Sequence, residues 1–185
     1  MVLYIKNMVC NRCVMVVKQE LEKLNLKPLH VTMGEAEISK QLSVKQMQQL
    51  NTRLLELGFE LLDDQKQKQI EKIKNLLIKT VQDNQIEEHF SISDLLSKAL
   101  NKDYSYISRL FSEVEGITIE QFFILQRIEK TKEWLHYGEL TLSEIAWKLG
   151  YSSVAHLSAQ FKKITGLTPS SFKKIGGPRK SLDSV

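Results

Sequence analysis

The chain has 185 residues, of which 42% are hydrophobic, and it carries a formal net charge of +4 at pH 7. This composition is ordinary for a globular protein, and the length has room for two small domains that each bury a core. No apolar run approaches the roughly 20 residues of a membrane-spanning helix, and the first 13 residues lack a signal-peptide pattern, so we expect a cytoplasmic protein with no membrane partner.

Residues 1–64 show strand and helix patterns in alternation. The predicted elements are, in chain order, strand 2–6, helix 13–24, strand 29–33, strand 35–39, helix 44–57 and strand 59–62. Gly34 stands between the second and third strands, where its turn chemistry predicts a hairpin. The order βαββαβ predicts an α+β domain with a ferredoxin-like sandwich fold.

The two cysteines of the chain, Cys10 and Cys13, stand where the loop after the first strand meets the first helix. At a helix N-terminus the helix dipole and the free backbone amides stabilise a thiolate, and Arg12 adds positive charge nearby. The two-residue gap between the cysteines lets both sulfur atoms converge on one ion. Cys10 and Cys13 are therefore candidate metal ligands.

Three interpretations of this cysteine pair are open. Two thiolates without further ligands suit Cu(I), whereas Zn(II) prefers about four ligands, which two chains together could supply. A thiol–disulfide switch is the second interpretation, because a Cys-x-x-Cys pair at a helix start can also be redox-active. In the third, the cysteines are inert and the domain serves dimerisation or partner binding.

The segment Met8-Val-Cys10-Asn-Arg-Cys13 and the Gly58-Phe59 step before the last strand give residues 1–64 a further likeness. They resemble the heavy-metal-associated domain of copper chaperones and metal-transporting ATPases, whose motif is Met-x-Cys-x-x-Cys. Asn7 stands where that family usually has glycine. The resemblance implies a ferredoxin-like fold and a metal held by the cysteines, with Cu(I) favoured over Zn(II).

A polar segment at 63–69 follows, and we predict that it links two domains. Apolar residues then recur three or four positions apart at Ile70, Ile73, Leu77 and Val81, a pattern that predicts a helix. We assign this helix to the second domain, residues 65–185, as its first helix. A helix that couples the two domains, or a short dimer seam, is the alternative.

Residues 90–174 repeat with a period of fifty, and each copy predicts two helices joined by a tight turn. Ser91 and Thr141 open the copies with capping signatures, and Gly116 and Gly166 suit the helix ends. The residues that we expect to face inward are Ile92, Leu95, Leu96, Ala99, Ile107, Phe111 and Val114 in the first copy, and Leu142, Ile145, Ala146, Leu149, Leu157, Phe161 and Ile164 in the second. The second domain is therefore predicted to be all-α, with tandem helix-turn-helix units.

The second helix of each copy is apolar on one side and small, polar or basic on the other. A helix that docks on its own domain and enters a DNA major groove needs this distribution. The outward residues, which we predict to meet base edges or phosphates of double-stranded DNA, are Ser105, Tyr106, Ser108 and Arg109 in the first copy, and Ala155, His156, Ala159, Gln160 and Lys163 in the second.

Further segments extend the pattern beyond the two recognition helices. They are Ser105-Tyr-Ile-Ser-Arg-Leu-Phe111, Arg127-Ile-Glu-Lys130, Ser143-Glu-Ile-Ala146, Gly150-Tyr-Ser152, Phe161-Lys162 and Gly166-Leu-Thr-Pro169. Together they resemble the AraC/XylS family of bacterial transcription regulators, in which a long helix, here 120–137, joins two helix-turn-helix units. The resemblance implies base contacts by Ser105, Tyr106, Arg109, Ala155, His156 and Ala159. The second recognition helix has Ser158-Ala-Gln-Phe161 where the family commonly has Ser-Arg.

The distribution of charge agrees with a nucleic-acid partner. Residues 1–64 hold eight basic and eight acidic residues, whereas residues 65–185 hold 18 of the 26 basic residues and 14 of the 22 acidic ones. Neutralising phosphates requires basic charge near the recognition helices.

The features together predict a sequence-specific DNA-binding transcription regulator that responds to a thiophilic metal. RNA polymerase and a second copy of the chain are further candidate partners. The alternatives are a metal carrier or thiol-redox protein with an appended DNA-binding domain, and a regulator whose N-terminal domain serves dimerisation or partner binding. No Ser-His-Asp set, phosphate loop or carboxylate pair stands in a suitable context, so we expect no enzyme activity.

Overall fold

The computed structural model describes residues 1–62, 65–83, 86–87 and 90–175. The chain forms two compact units, Met1–Asn75 and Leu76–Val185, and the division between them falls inside a helix. Within the described part, no helix is both long and apolar enough to cross a membrane. The predictions of a linker at Asp63 and Asp64 and of a frayed tail after Ile175 lie outside the described residues.

The first unit contains a small four-stranded sheet and two helices in the predicted order βαββαβ. The elements are β1 (Val2–Lys6), α1 (Asn11–Lys23), β2 (Pro28–Thr32), β3 (Glu35–Ile38), α2 (Val44–Glu56) and β4 (Glu60–Leu61). The strand order across the sheet is β2-β3-β1-β4, and each neighbouring pair is antiparallel.

The alternation of side chains along β1 divides the sheet into two faces. Leu3 and Ile5 point into the core that Val17 and Leu21 of α1 and Leu50 of α2 complete. Residues at every second position of a strand share one face, so Tyr4 lies on the opposite side of the sheet. The inward stripe of each helix matches this core, which is why the helices pack on one face of the sheet.

Helix α3 (Gln65–Gln82) contributes residues to both units. In the first unit the ammonium of Lys68 lies 5.1 Å from the ring centroid of Tyr4, and the Nζ of Lys72 lies 3.9 Å from the Oε1 of Glu35. Leu77 is buried in the second unit. The predicted linker at 63–69 is corrected at 65–69, which form the start of α3, because glutamine and lysine are good helix formers and no glycine or proline interrupts them.

The second unit is helical throughout its described length beyond residue 90, apart from connecting turns. Its further helices are α4 (Ile92–Leu100), α5 (Tyr104–Glu115), α6 (Ile119–Tyr137), α7 (Leu142–Lys148), α8 (Val154–Thr165) and α9 (Pro169–Ile175). Helices α5 and α8 begin and end fifty positions apart, which confirms the predicted repeat. Helix α6 is the predicted long connecting helix.

The two copies also share the packing of their aromatic cores. The ring centroids of Phe111 and Phe122 lie 5.6 Å apart in the first copy, and those of Phe161 and Phe172 lie 5.5 Å apart in the second. Both pairs meet edge to face, a favourable arrangement for aromatic rings. The same chain spacing therefore builds the same core twice.

Three residues that we expected to face inward are exposed. Val114 is 43% exposed and Ile164 is 38% exposed, and Ala99 is also on the surface. Each stands near the C-terminal end of its helix, beyond the last residue that reaches the core. The predicted inward stripe was wrong there because a periodic pattern does not show where the packing partner ends.

Candidate nucleic-acid interface

The first recognition helix, α5, is placed by a left-handed residue and an apolar face. Asn101 ends α4 with a φ of 51°, a conformation that asparagine tolerates better than most residues. Ile107, Leu110 and Phe111 are buried against the rest of the unit. As a consequence, the predicted contact residues Ser105, Tyr106 and Arg109 lie on the exposed side of α5, while Ser108 is half-buried.

Two cations stand beside the exposed face of α5. The ammonium of Lys102 lies 4.7 Å from the ring centroid of Tyr106, within the range of a cation–π contact. The sequence pattern did not predict a role for Lys102. The feature that could have indicated it is a lysine shortly before an aromatic residue of the recognition helix. The side chain of Arg109 forms no ion pair or hydrogen bond among the residues that the structure describes, so its guanidinium can bind a phosphate or a base edge.

A tyrosine and a glutamate join the start of α5 to the start of α6. The hydroxyl of Tyr104 donates a hydrogen bond to the Oε1 of Glu120. Burial, followed by this hydrogen bond, raises the pKa of Tyr104 well above its ordinary value. Burial alone would raise the pKa of Glu120, but the hydrogen bonds from Tyr104 and from the backbone outweigh it and lower the pKa.

The second recognition helix, α8, begins after a tight turn. Gly150 has a φ of 67°, and the hydroxyl of Ser153 accepts a hydrogen bond of 3.0 Å from the backbone amide of His156. Leu157 and Phe161 bury the inner face of α8. The predicted contact residues of this helix then divide by exposure: the exposed ones are Ala155, His156, Ala159 and Lys163, and Gln160 is half-buried.

A buried tyrosine in this turn contacts three polar side chains. The hydroxyl of Tyr151 donates to the Oε1 of Gln160 over 2.6 Å, and the ring meets that of His156 edge to face at 5.3 Å. The guanidinium of Arg127 lies 4.3 Å from the ring centroid of Tyr151, and its Nη1 donates to the carbonyl of Leu149 over 3.3 Å. No local sequence pattern predicts this arrangement, since Arg127 and Tyr151 are far apart along the chain.

The two recognition helices differ in charge. Helix α5 carries Arg109 and two glutamates, Glu113 and Glu115, whereas α8 carries Lys162 and Lys163 and no acidic residue. Because phosphates attract cations, α8 offers the more favourable field for the DNA backbone. Helix α5 offers a single arginine, the side chain best suited to bidentate contacts with guanine.

The two cysteines lie at the start of α1, as predicted, although the helix begins earlier than expected. Helix α1 starts at Asn11, so Cys10 is its N-cap and Cys13 lies in its first turn. The Sγ atoms of the two cysteines are 3.4 Å apart, and both side chains are partly exposed. Asn7, before them, has a φ of 70°, which explains how asparagine serves where glycine would be expected. Met8 is fully buried beneath the loop.

The surroundings shift the pKa values of the two thiols in opposite directions. Burial raises the pKa of Cys10, but interactions with the backbone and Sγ of Cys13 outweigh it, so the pKa lies below the ordinary value of a thiol. Burial, together with the neighbouring Cys10, raises the pKa of Cys13. Within the described residues no group of three or more His, Cys, Asp or Glu side chains could hold a metal ion, so the pair has no third ligand of these types there.

Comparison with known proteins agrees with this geometry over the second unit. Residues 96–175 match the model of a helix-turn-helix domain. The matched segment, which is less than half of the chain, is similar to a helix-turn-helix domain. It includes both recognition helices and the long helix between them.

Individual relatives match a similar part of the chain. An uncharacterized HTH-type transcriptional regulator of Staphylococcus aureus is 35% identical over 92 residues, which are 48% of this chain and 12% of the relative. A second, from Escherichia coli, is 30% identical over 104 residues, 55% of this chain and 34% of the relative. The chain spans less than half the length of these curated relatives.

A solved structure shows the same fold. The C-terminal domain of AraT, a response regulator from Geobacillus stearothermophilus, superposes with a TM-score of 0.50 at 24% identity, covering 61% of this chain and 88% of that domain. The likeness of residues 1–64 to heavy-metal-associated domains stays a prediction, because the matched family model begins at residue 96.

Proposed function

We propose that the chain is a sequence-specific transcription regulator that binds double-stranded DNA with two recognition helices. The observation that carries this proposal is the repeat itself: α5 and α8 lie fifty positions apart, each buried on one side and small, polar or basic on the other. The relatives that are named transcriptional regulators match over this same part of the chain.

The exposed side chains divide the work of binding between the two helices. Arg109, with Ser105 and Tyr106, contacts base edges from α5. Ser108 and Lys102 contact the phosphates of the DNA backbone at that helix. On α8 the small residues Ala155 and Ala159 permit close approach to the groove. His156 and Lys163 then supply donors to bases and phosphates.

This proposal is tested by titrating DNA with the full chain at several salt concentrations. We expect a selected DNA site to bind more tightly than random DNA, and we expect both affinities to fall steeply as salt rises, because bound phosphates release counterions. Equal affinity for all sequences, or an affinity independent of salt, would contradict a sequence-specific regulator.

We infer that the first unit is a ferredoxin-like sensor domain whose Cys10 and Cys13 bind a thiophilic metal. The order of its elements and the cysteine pair at the start of α1 support this inference. The donor set fits a soft ion, since two sulfur atoms 3.4 Å apart are close enough to share one. Cu(I) is satisfied by two thiolates, whereas Zn(II) would need ligands from a second chain.

A thiol–disulfide switch is the second candidate, and the opposite pKa shifts favour it. Cys10, with a lowered pKa, is the more easily ionised thiol, and Cys13 stands within 3.4 Å of it. An external oxidant would take up the two electrons that the thiols lose as they join in a disulfide, and the two protons would leave to solvent.

The two candidates are separated by comparing the wild-type chain with Cys10→Ser and Cys13→Ser. Operator affinity and transcription in vitro are measured with Cu(I), with Zn(II) and with a mild oxidant. Metal sensing predicts a response to a metal that both variants lose while their basal DNA affinity persists. A response to the oxidant alone supports the switch, and no response to any of the three would leave the first unit as a dimerisation or partner-binding domain.

A further inference from the structure

We propose that Tyr151 determines base preference at the second recognition helix by holding the carbonyl oxygen of Gln160. Helix α8 then presents hydrogen-bond donors and selects guanine rather than adenine beneath Gln160, that is, at the base pair that Gln160 contacts. The inference rests on the proposed DNA-binding function and deepens it. Gln160 was predicted as a contact residue, and the structure adds which of its atoms remain for DNA.

The hydrogen bond between Tyr151 and Gln160 divides the amide into an inner and an outer half. A glutamine reads adenine by offering an acceptor and a donor together, to N6 and N7 of the base. Here the Oε1 faces the hydroxyl of Tyr151, a residue only 6% exposed, over 2.6 Å. The Nε2 therefore remains for an outside partner, and it can only donate.

Tyr151 is itself held in place from a different helix. Arg127 of α6 covers its ring at 4.3 Å and lies 5.1 Å from the ring centroid of Phe123. The Nη1 of Arg127 also binds the carbonyl of Leu149, at the end of α7. Burial raises the pKa of Tyr151 despite the nearby cation, so the hydroxyl stays protonated and keeps donating to Gln160.

His156 adds a donor on the same side of α8, and Lys163 adds a cation there for the neighbouring phosphate. They stand four residues before and three residues after Gln160, so the three side chains form one stripe of the helix. The Oγ of Ser152 lies 3.2 Å from the Nδ1 of His156, which leaves the Nε2 for other partners. When the serine donates to Nδ1, the Nε2 carries the ring proton and is a donor.

A stripe of donors matches an edge of DNA that offers only acceptors. Guanine presents N7 and O6 as acceptors in the major groove, whereas adenine pairs its N7 acceptor with a donating amino group. Donors on the protein therefore meet two acceptors at guanine, but one acceptor and one donor at adenine. This mismatch is the source of the preference that we propose.

The experiment selects sites for the full chain from randomised duplex DNA and then measures affinities for single-base variants. Gln160→Leu first identifies the base pair beneath Gln160 as the position where preference disappears. At that pair we expect wild type to bind guanine roughly tenfold more tightly than adenine. Tyr151→Phe keeps the ring over Arg127 but frees the Gln160 oxygen, and it should reduce this ratio to near one.

Two further variants make the test specific. Tyr104→Phe removes the tyrosine hydrogen bond of the first copy, which goes to Glu120, and should leave the guanine preference beneath Gln160 unchanged. Gln160→Glu keeps an oxygen for Tyr151 but presents a second acceptor outward, so the preference should move to cytosine, whose N4 donates. The unfolding midpoint of each variant shows whether it is folded.

The outcomes distinguish this inference from the function on which it rests. If wild type selects adenine beneath Gln160, or if Tyr151→Phe preserves the guanine preference, the role of Tyr151 is overturned while DNA binding stands. If wild type selects no site at all, the proposed function fails and this inference fails with it.

Discussion

The two helix-turn-helix copies have the same internal packing, but their recognition helices differ in polar contacts and in charge. The Phe111–Phe122 and Phe161–Phe172 pairs have nearly the same separation. In contrast, the hydrogen bond between Tyr104 and Glu120 at the start of α5 is not repeated at the equivalent positions of α8. The comparison shows that a duplicated unit preserves the residues that set its fold while its exposed residues diverge.

The contacts of the first copy fix the start of its recognition helix. Tyr104, the first residue of α5, binds Glu120 in the first turn of α6. In the second copy the corresponding positions hold Val154 and Ser170, which cannot form this bond. There, Tyr151 in the turn donates a hydrogen bond to Gln160 in the middle of α8, and Arg127 of α6 covers the tyrosine ring. The second copy therefore couples its turn to a residue on its DNA-facing side.

The largest expected effect concerns the shared core. Phe111→Ala and Phe161→Ala each remove a fully buried ring, and we expect each to reduce the free energy of unfolding by about 3–5 kcal/mol. The loss is measured by urea unfolding followed by tryptophan fluorescence, since both tryptophans, Trp134 and Trp147, lie in the second unit. A large loss for one variant and a negligible loss for the other would break the equivalence of the two cores.

The next effect distinguishes two glycines with similar backbones. Gly150 and Gly166 both have positive φ, so alanine at either costs about 1–2 kcal/mol. A Cβ at Gly150 would also lie 2.9 Å from the Cγ2 of Ile86, whereas a Cβ at Gly166 would meet no described atom within 4 Å beyond its chain neighbours. We therefore expect Gly150→Ala to lose about 1–3 kcal/mol more, as overpacked sites do. Equal losses in the same urea measurement would show that Ile86 moves aside.

A third effect compares the charged contacts of the two recognition helices. Arg109→Ala should cost about 1–3 kcal/mol of binding free energy and relax preference at one base pair. Lys163→Ala should instead weaken binding to all sequences alike and reduce the salt slope by about one. Affinities for the selected site and for its single-base variants check both statements. A uniform loss in Arg109→Ala would assign that residue to the phosphate backbone.

The smallest effect is the pH dependence of the Tyr104–Glu120 contact. Since the folded pKa of Glu120 is lowered, its contribution to stability is present above the ordinary glutamate value of 4.5 and is lost as pH falls through the folded pKa. Glu120→Gln should therefore be less stable than wild type at pH 7, and the difference should shrink in acid. Unfolding midpoints at pH 7 and pH 3 measure it. A difference that grows in acid would contradict the sign.

The sequence determined the repeat because its signals are local and periodic. Glycines fifty positions apart and phenylalanines at matching places predicted the helix pairs, and the patterns in residues 1–64 predicted the βαββαβ order of the first unit. These patterns report what each element buries against its own unit.

Other features depended on contacts that no local pattern shows. The start of α3 consists of glutamine and lysine, which occur in linkers as well as in helices, so the predicted linker wrongly included residues 65–69. The bond between Tyr151 and Gln160 needs the turn of the second copy to bring them together. Residues that position other side chains through contacts made by the fold are therefore harder to predict than residues that form the core.

The central claim is that α5 and α8 bind one DNA site together. The most direct test is interference footprinting of the full chain on its selected site, which reports each base whose modification prevents binding. We expect two clusters of major-groove contacts on one face of the duplex, with centres about 34 Å apart, one helical turn. Arg109→Ala should erase contacts in one cluster only. A single cluster of contacts, in which Arg109→Ala and Lys163→Ala do not affect separate parts, would contradict binding by two helices.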